Sequence, residues 1–217
     1  MRGAFQTVAG GQAVAEERWS VASADGRDRL VASGEIREGR PRRWQLEAAV
    51  TTQGTLESME WQLTAAPPPT EVTTVALRSL GEHVFITRIP PGGVPDRVET
   101  AFAPGSLVLG PSVSLLALLA GRAQGQAGMA RRSLFVRVDE HDLSVRLEDG
   151  MVLHGRRVRG KGADGKDGWI RSVELRTAAD AARQEAVLQF DASGAPVEAA
   201  WPLAIPPRAA SLSSFEP

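Results

Sequence analysis

Residues 43–50 read Arg-Trp-Gln-Leu-Glu-Ala-Ala-Val, and residues 58–63 read Ser-Met-Glu-Trp-Gln-Leu. In the first run Trp44, Leu46, Ala48 and Val50 alternate with Arg43, Gln45, Glu47 and Ala49. In the second, Met59, Trp61 and Leu63 alternate with Ser58, Glu60 and Gln62. A period of two places alternate side chains on opposite faces of a pleated strand, so each run predicts a strand with one face in a core and one in water. The turn residues Thr52-Gln53-Gly54-Thr55 lie between them and predict a hairpin.

The same grammar extends outward in both directions. On the N-terminal side, Ala13–Ala22 carries Trp19 and Val21 on one face, and Asp25-Gly26 turns the chain into Leu30, Ala32, Gly34 and Ile36. Further strands are expected near Val72–Leu77, Val84–Ile89 and Val98–Phe102. On the C-terminal side, Leu134, Val136 and Val138 precede the polar turn Asp139-Glu140-His141-Asp142, after which Leu143, Val145 and Leu147 return. Met151–Arg159 forms another strand, Gly160–Gly168 a polar loop, and Trp169, Arg171, Val173 and Leu175 the next strand. Ala186, Leu188 and Phe190, and then Val197, Ala199, Trp201 and Leu203, close the series. About eleven or twelve strands separated by turns every ~8–12 residues predict an all-β, mainly antiparallel fold. A large curved sheet, half-barrel or barrel-like, is the expected form.

One segment departs from this period. Pro111-Ser112 precedes Val113, Leu115, Leu116, Leu118 and Leu119, and Gly121 follows. Proline at the start and glycine past the end mark a short helix over Pro111–Ala120, with Ser112 or Ser114 as its cap. It is apolar on most sides and must be buried. Pro67-Pro68-Pro69 and Pro90-Pro91-Gly92-Gly93 are short rigid or turning connections. Residues 1–205 are therefore expected to form one domain, and 206–217, which begin at Pro206-Pro207, a loose tail.

Composition narrows the possible functions. Of 217 residues, 42% are hydrophobic and 24% charged, with a net charge of −1 and no cysteine. Disulfides, thiolate catalysis and cysteine zinc sites are excluded. The charge balance lacks the basic excess of a nucleic-acid binder, and no run interleaves aromatic with basic residues. Val113–Ala120, the longest apolar run, falls well short of the ~20 residues of a membrane span, so stable membrane insertion is not expected. With no apolar leader visible after Met1, the chain as given is expected in the cytoplasm, or outside it if an export signal was trimmed. Lys161 and Lys166 are the only lysines and tyrosine is missing. Clusters of arginine are then partly a matter of overall residue usage.

No sequence feature gives a catalytic set. His83, His141 and His154 fall on different strands or turns. A metal site would need them to converge with carboxylates, and His141 among Asp139, Glu140 and Asp142 reads more simply as a solvated turn. Gly110-Pro111-Ser112-Val113-Ser114 is not a nucleophile elbow. Asp164-Gly165-Lys166-Asp167-Gly168 lacks the alternating ligands of a calcium loop. Carboxylate pairs for an unfamiliar enzyme would be Glu16 with Glu17, or Asp139 with Asp142. Two arginine groups, Arg37/Arg40/Arg42/Arg43 and Arg156/Arg157/Arg159 with Lys161, are suited to gripping a phosphate or carboxylate. No metal or cofactor is expected.

Taken together, the strand pairs Arg43–Leu63, Leu134–Leu147 and Ala186–Leu203 and the helix Pro111–Ala120 give a layout that resembles the LolA and LppX-like lipid carriers. The resemblance covers most of the chain and rests on no specific motif. It implies a curved antiparallel sheet around an apolar cavity with the helix as a lid. It also implies a non-enzymatic binding protein for a lipid or other apolar ligand. On that reading Trp44, Trp61, Phe85, Leu116 and Leu119 line the cavity, and arginine at its mouth, Arg156 among them, steadies an anionic headgroup. The alternative is a protein-interaction or scaffold domain without a cavity. Ligand identity and oligomeric state are not legible.

Overall fold

The computed structural model describes residues 1–65, 71–103, 105–122, 127–177, 184–201 and 208–216. A first meander comprises β1 (Arg2–Ala9), β2 (Gln12–Ala24), β3 (Arg27–Ile36), β4 (Arg42–Thr51), β5 (Leu56–Ala65), β6 (Val72–Leu80), β7 (His83–Ile89) and β8 (Asp96–Ala101). The short β9 (Leu107–Leu109) and the helix α1 (Val113–Arg122) follow. A second meander comprises β10 (Ala130–Val138), β11 (Val145–Lys161), β12 (Asp167–Thr177), β13 (Gln184–Phe190), β14 (Pro196–Trp201) and β15 (Arg208–Glu216). The expected all-β class, the single short helix and the hairpin of β4 and β5 are all present. Tight turns follow glycine chemistry: Asp25 and Gly26, between β2 and β3, both have positive φ, 50° and 74°, the geometry of a two-residue hairpin loop.

All fifteen strands join one sheet, in the order β8-β7-β6-β5-β4-β3-β2-β1-β15-β14-β13-β12-β11-β10-β9. Every pairing is antiparallel except β9 with β10. The two meanders meet where β1 pairs with β15, from Arg2↔Glu216 to Ala9↔Arg208. This corrects the expectation of a loose tail: residues 208–216 form a central strand, held between β1 and β14. Its sequence, Arg-Ala-Ala-Ser-Leu-Ser-Ser-Phe-Glu, carries little alternation, and its partners supply the order. Pro67-Pro68-Pro69, Leu203 and Pro206-Pro207 lie outside the described residues.

Chain geometry requires the sheet to roll. If flat, its fourteen inter-strand spacings would put β8 and β9 about 67 Å apart. Yet the chain leaves β8 at Ala101 and enters β9 at Leu107, a stretch that spans about 20 Å at most. Both outer strands must therefore lie on the same side of a rolled sheet. The roll does not close by hydrogen bonding, since β8 and β9 do not pair. Burial agrees. Leu107, Val108 and Leu109 are all buried, as are the consecutive Phe135 and Val136 of β10, so this margin is covered on both faces.

Contacts across the roll show what covers it. A Cβ on Gly110, just past β9, would lie 2.5 Å from the Trp61 ring of β5. Aromatic rings also lie over glycines along the inner face. Trp44 covers Gly34, its direct partner across β3 and β4, and Trp19 covers Gly3 across β1 and β2. Glycine within a strand permits this close approach and the bend that comes with it. Inside, Phe5, Leu30, Trp44, Leu46, Trp61, Leu77, Leu116, Leu119, Phe135 and Phe190 belong to one continuous apolar cluster. Among the described residues, no helix is long and apolar enough to cross a membrane.

Candidate functional site

The helix occupies the interior of the roll, and two carboxylates of the sheet hold its ends. Ser112 caps it: its Oγ accepts from Leu115 N at 3.1 Å, satisfying one of the amides that a helix start leaves without a partner. Beneath lies Glu17 of β2, on the inward row of Ala15, Trp19 and Val21. Its Oε2 accepts from Val113 N at 2.7 Å, and its Oε1 from Ser112 Oγ at 2.8 Å and from Ser114 N at 3.2 Å. The Ser114 hydroxyl also bonds it. Burial pushes the Glu17 carboxyl from 4.5 up to about 7, against the lowering effect of the bonds from Ser112, Ser114 and Val113. At the other end Arg122 Nε donates to Asp28 Oδ2 of β3 at 2.9 Å, and Ser23 donates to the second oxygen. Acid at the helix start and a cation at its end both complement the helix dipole.

Two clefts flank this plug. The larger, about 670 Å³, opens at the end of the roll nearest the helix start. Its apolar lining includes Val14, Ile36, Leu109, Val113, Val138 and Trp201, and its charged lining includes Glu38, Arg137, Glu140, Arg146, Glu148 and Arg208. Arg208 of β15 donates to Glu140 at 3.0 Å, in the turn between β10 and β11, and to Glu38, in the turn between β3 and β4, at 2.5 Å. One guanidinium thus ties three parts of the rim together. The smaller cleft, about 280 Å³, lies along the helix flank between Trp19, Val21, Ala117, Leu118 and the turn at Ser193-Gly194.

The residues expected to line a cavity are placed otherwise. Trp44, Trp61, Leu116 and Leu119 do come together, but in the filled core, with the two indoles edge-on at 5.9 Å. They line neither cleft, because the helix itself takes up the space they enclose. Phe85 faces outward and is 41% exposed, opposite Arg78 and Glu99 of the neighbouring strands. Arg156 is exposed where the register between β11 and β12 shifts.

The other chemical candidates separate similarly. His83 contacts Glu99 at 3.0 Å on the surface. His141 belongs to a turn whose form is set by Asp139, which accepts from His141 N at 2.7 Å, and by Asp142, which accepts from Ser144 N at 2.8 Å. His154 is buried on the inner face with neither ring nitrogen bonded. Burial, with the guanidiniums of Arg171 and Arg131, pushes its pKa down and keeps it neutral. Among the described residues no three acidic or histidine side chains gather into a metal site. Glu16 points outward to Arg18 and Arg37 while Glu17 points inward, so they form no pair. Asp164 accepts from Lys166 N at 3.0 Å within its own loop.

The sequence reading took Glu17 only as half of a pair with Glu16, and it passed over Asp28, Arg137, Arg146 and Arg208. A signal was present for two of them. Glu17 and Asp28 each interrupt an otherwise apolar row, at the parity of Trp19 and of Leu30. The arginines gave none, because their meeting depends on pairing and curvature.

No family model matches the chain, and neither does any curated protein. Solved structures do share its fold. A β-barrel-like protein of the DUF1849 domain of unknown function from Brucella abortus is similar with a TM-score of 0.57 at 8% identity, over 98% of this chain and 95% of that one. A DUF1089 family protein from Pseudomonas aeruginosa is similar with a TM-score of 0.53 at 12% identity, over 83% and 87%. What these likenesses establish is a β-barrel-like fold.

Proposed function

We propose that this is a non-enzymatic binding protein that takes an apolar or amphiphilic small molecule, such as a lipid, into the cleft at the end of the roll. The observation that carries this reading is the cleft itself: about 670 Å³, with Ile36, Leu109, Val113 and Trp201 apolar beneath a charged rim. Ligand pockets commonly measure about 300–1,000 Å³ and combine apolar walls with a few placed polar groups. Burial of a chain against such walls contributes ~25 cal/mol per Å². The filled interior argues for a ligand held at the mouth, with the helix as floor. The alternative, docking through the exposed edge β8, has less support, since Asp96, Arg97 and Glu99 place charges on that strand, as edges that resist strand addition do.

Native mass spectrometry of freshly purified protein tests the proposal, followed by titration of the delipidated protein with alkyl-chain ligands read by tryptophan fluorescence. An adduct, and a saturable change that is lost in Trp201→Ala, are expected. Bare protein and no response to any chain length would overturn it.

A further inference from the structure

We propose that the cleft selects ligands with an anionic oxyanion head, phosphate or carboxylate, through Arg137 and Arg146; this rests on the binding reading above. These two residues are direct partners across β10 and β11, and both line the cleft. Like charges placed opposite each other across a sheet destabilise it, so the pair costs stability unless something negative lies between. Glu148 meets this need for Arg137, accepting from its Nε, and leaves Arg146 without a bond.

Among the described residues Arg146 has no hydrogen bond or ion pair, in a cleft whose other charges are committed. Glu38 and Glu140 hold Arg208, and Asp139 is bound to the His141 amide. Arg146 then stands opposite Arg137 in the cleft lining, beside the apolar Val138 and Val113. Guanidinium pairs with phosphate or carboxylate in a fork that neutral heads cannot satisfy. Chain and charge would be bound side by side, the chain on the cleft floor and the head between the two arginines.

The test compares dodecyl phosphate, dodecyl maltoside and inorganic phosphate on delipidated protein, by calorimetry. Dodecyl phosphate is expected to bind about tenfold more tightly than dodecyl maltoside, with a preference that shrinks at high salt. In Arg146→Gln that preference should vanish while the melting temperature holds or rises, since a like-charge repulsion is removed. Arg97→Gln, on β8 and outside the cleft lining, should change neither.

Equal binding of the two detergents would overturn the arginine proposal and leave the cleft reading standing. No binding by either would overturn both. Inorganic phosphate binding as tightly as dodecyl phosphate would overturn the amphiphile. A preference that survives Arg146→Gln would overturn the assignment to this pair.

Discussion

Arg88 of β7 donates from Nε to the Asp142 carbonyl at 3.0 Å, joining the second strand from one edge of the sheet to the turn beside the second strand from the other. Its remaining contacts are Asp96 and the Asp142 carboxylate, at 3.3 and 3.5 Å. Arg88→Ala should cost about 1 kcal/mol, seen as a lower urea midpoint at unchanged slope. Amide exchange should quicken in β7 and β8 while β2–β4 keep their protection. Uniform quickening would mean that the contact does not act at the margin.

Gly110 is the second point of closure. Because a Cβ there would lie 2.5 Å from Trp61 and 3.3 Å from Val138, Gly110→Ala must displace the ring or the β9 margin. Overpacking of this kind costs about 1–3 kcal/mol. Gly11→Ala would meet no atom within 4 Å, although its φ of +80° adds backbone strain. It separates crowding from conformational freedom. Denaturation of both variants, with Trp61 emission as a local probe, should show ring displacement in the first alone.

The Glu17 carboxyl gives a defined pH dependence. It titrates near 7 in the fold and near 4.5 when free, so the native state holds the proton more tightly. Its contribution is fully present below about pH 4.5 and falls away as pH rises through 7, by about 3 kcal/mol in all. His154 acts oppositely: buried and neutral, with a pKa below 6.5, it contributes stability that is lost as pH falls below 6.5. The two slopes oppose each other in the wild type. Glu17→Gln should therefore leave stability rising with pH through the region just below 6.5. Identical profiles for variant and wild type would contradict the buried acid.

At the other end of the helix, the two halves of one ion pair should not be equivalent. Asp28 is fully buried, whereas Arg122 is 36% exposed. Arg122→Ala leaves a carboxylate in the interior with only Ser23 and should cost about 3 kcal/mol or more. Asp28→Ala frees a guanidinium that can reach water and should cost less. Equal losses, measured by chemical denaturation, would show that burial does not decide the outcome.

The strands that announced themselves were those with a water face and a core face. Trp44, Leu46 and Ala48 against Gln45 and Glu47 needed no partner to be read. β1, β9 and β15 escaped for three separate reasons. β1 sets Gly3 beneath Trp19 where an apolar residue would have given the period. β9 is three residues long and buried on both faces, so it has no alternation to show. β15 is rich in alanine and serine. Of the candidate site, the helix and its serine cap were legible. The facing of Arg137 and Arg146 was not, since register across a hairpin depends on the turn between its strands, here Asp139–Ser144.

The pairing of β1 with β15 bears on biosynthesis. Arg2 and Glu216, bonded side chain to side chain, lie 214 positions apart. While the ribosome is still at work, one flank of β1 presents bare amides and carbonyls, an open template for stray pairing. A chain cut short before residue 208 would keep that flank unmatched, so completion of the sheet waits on the synthesis of β15.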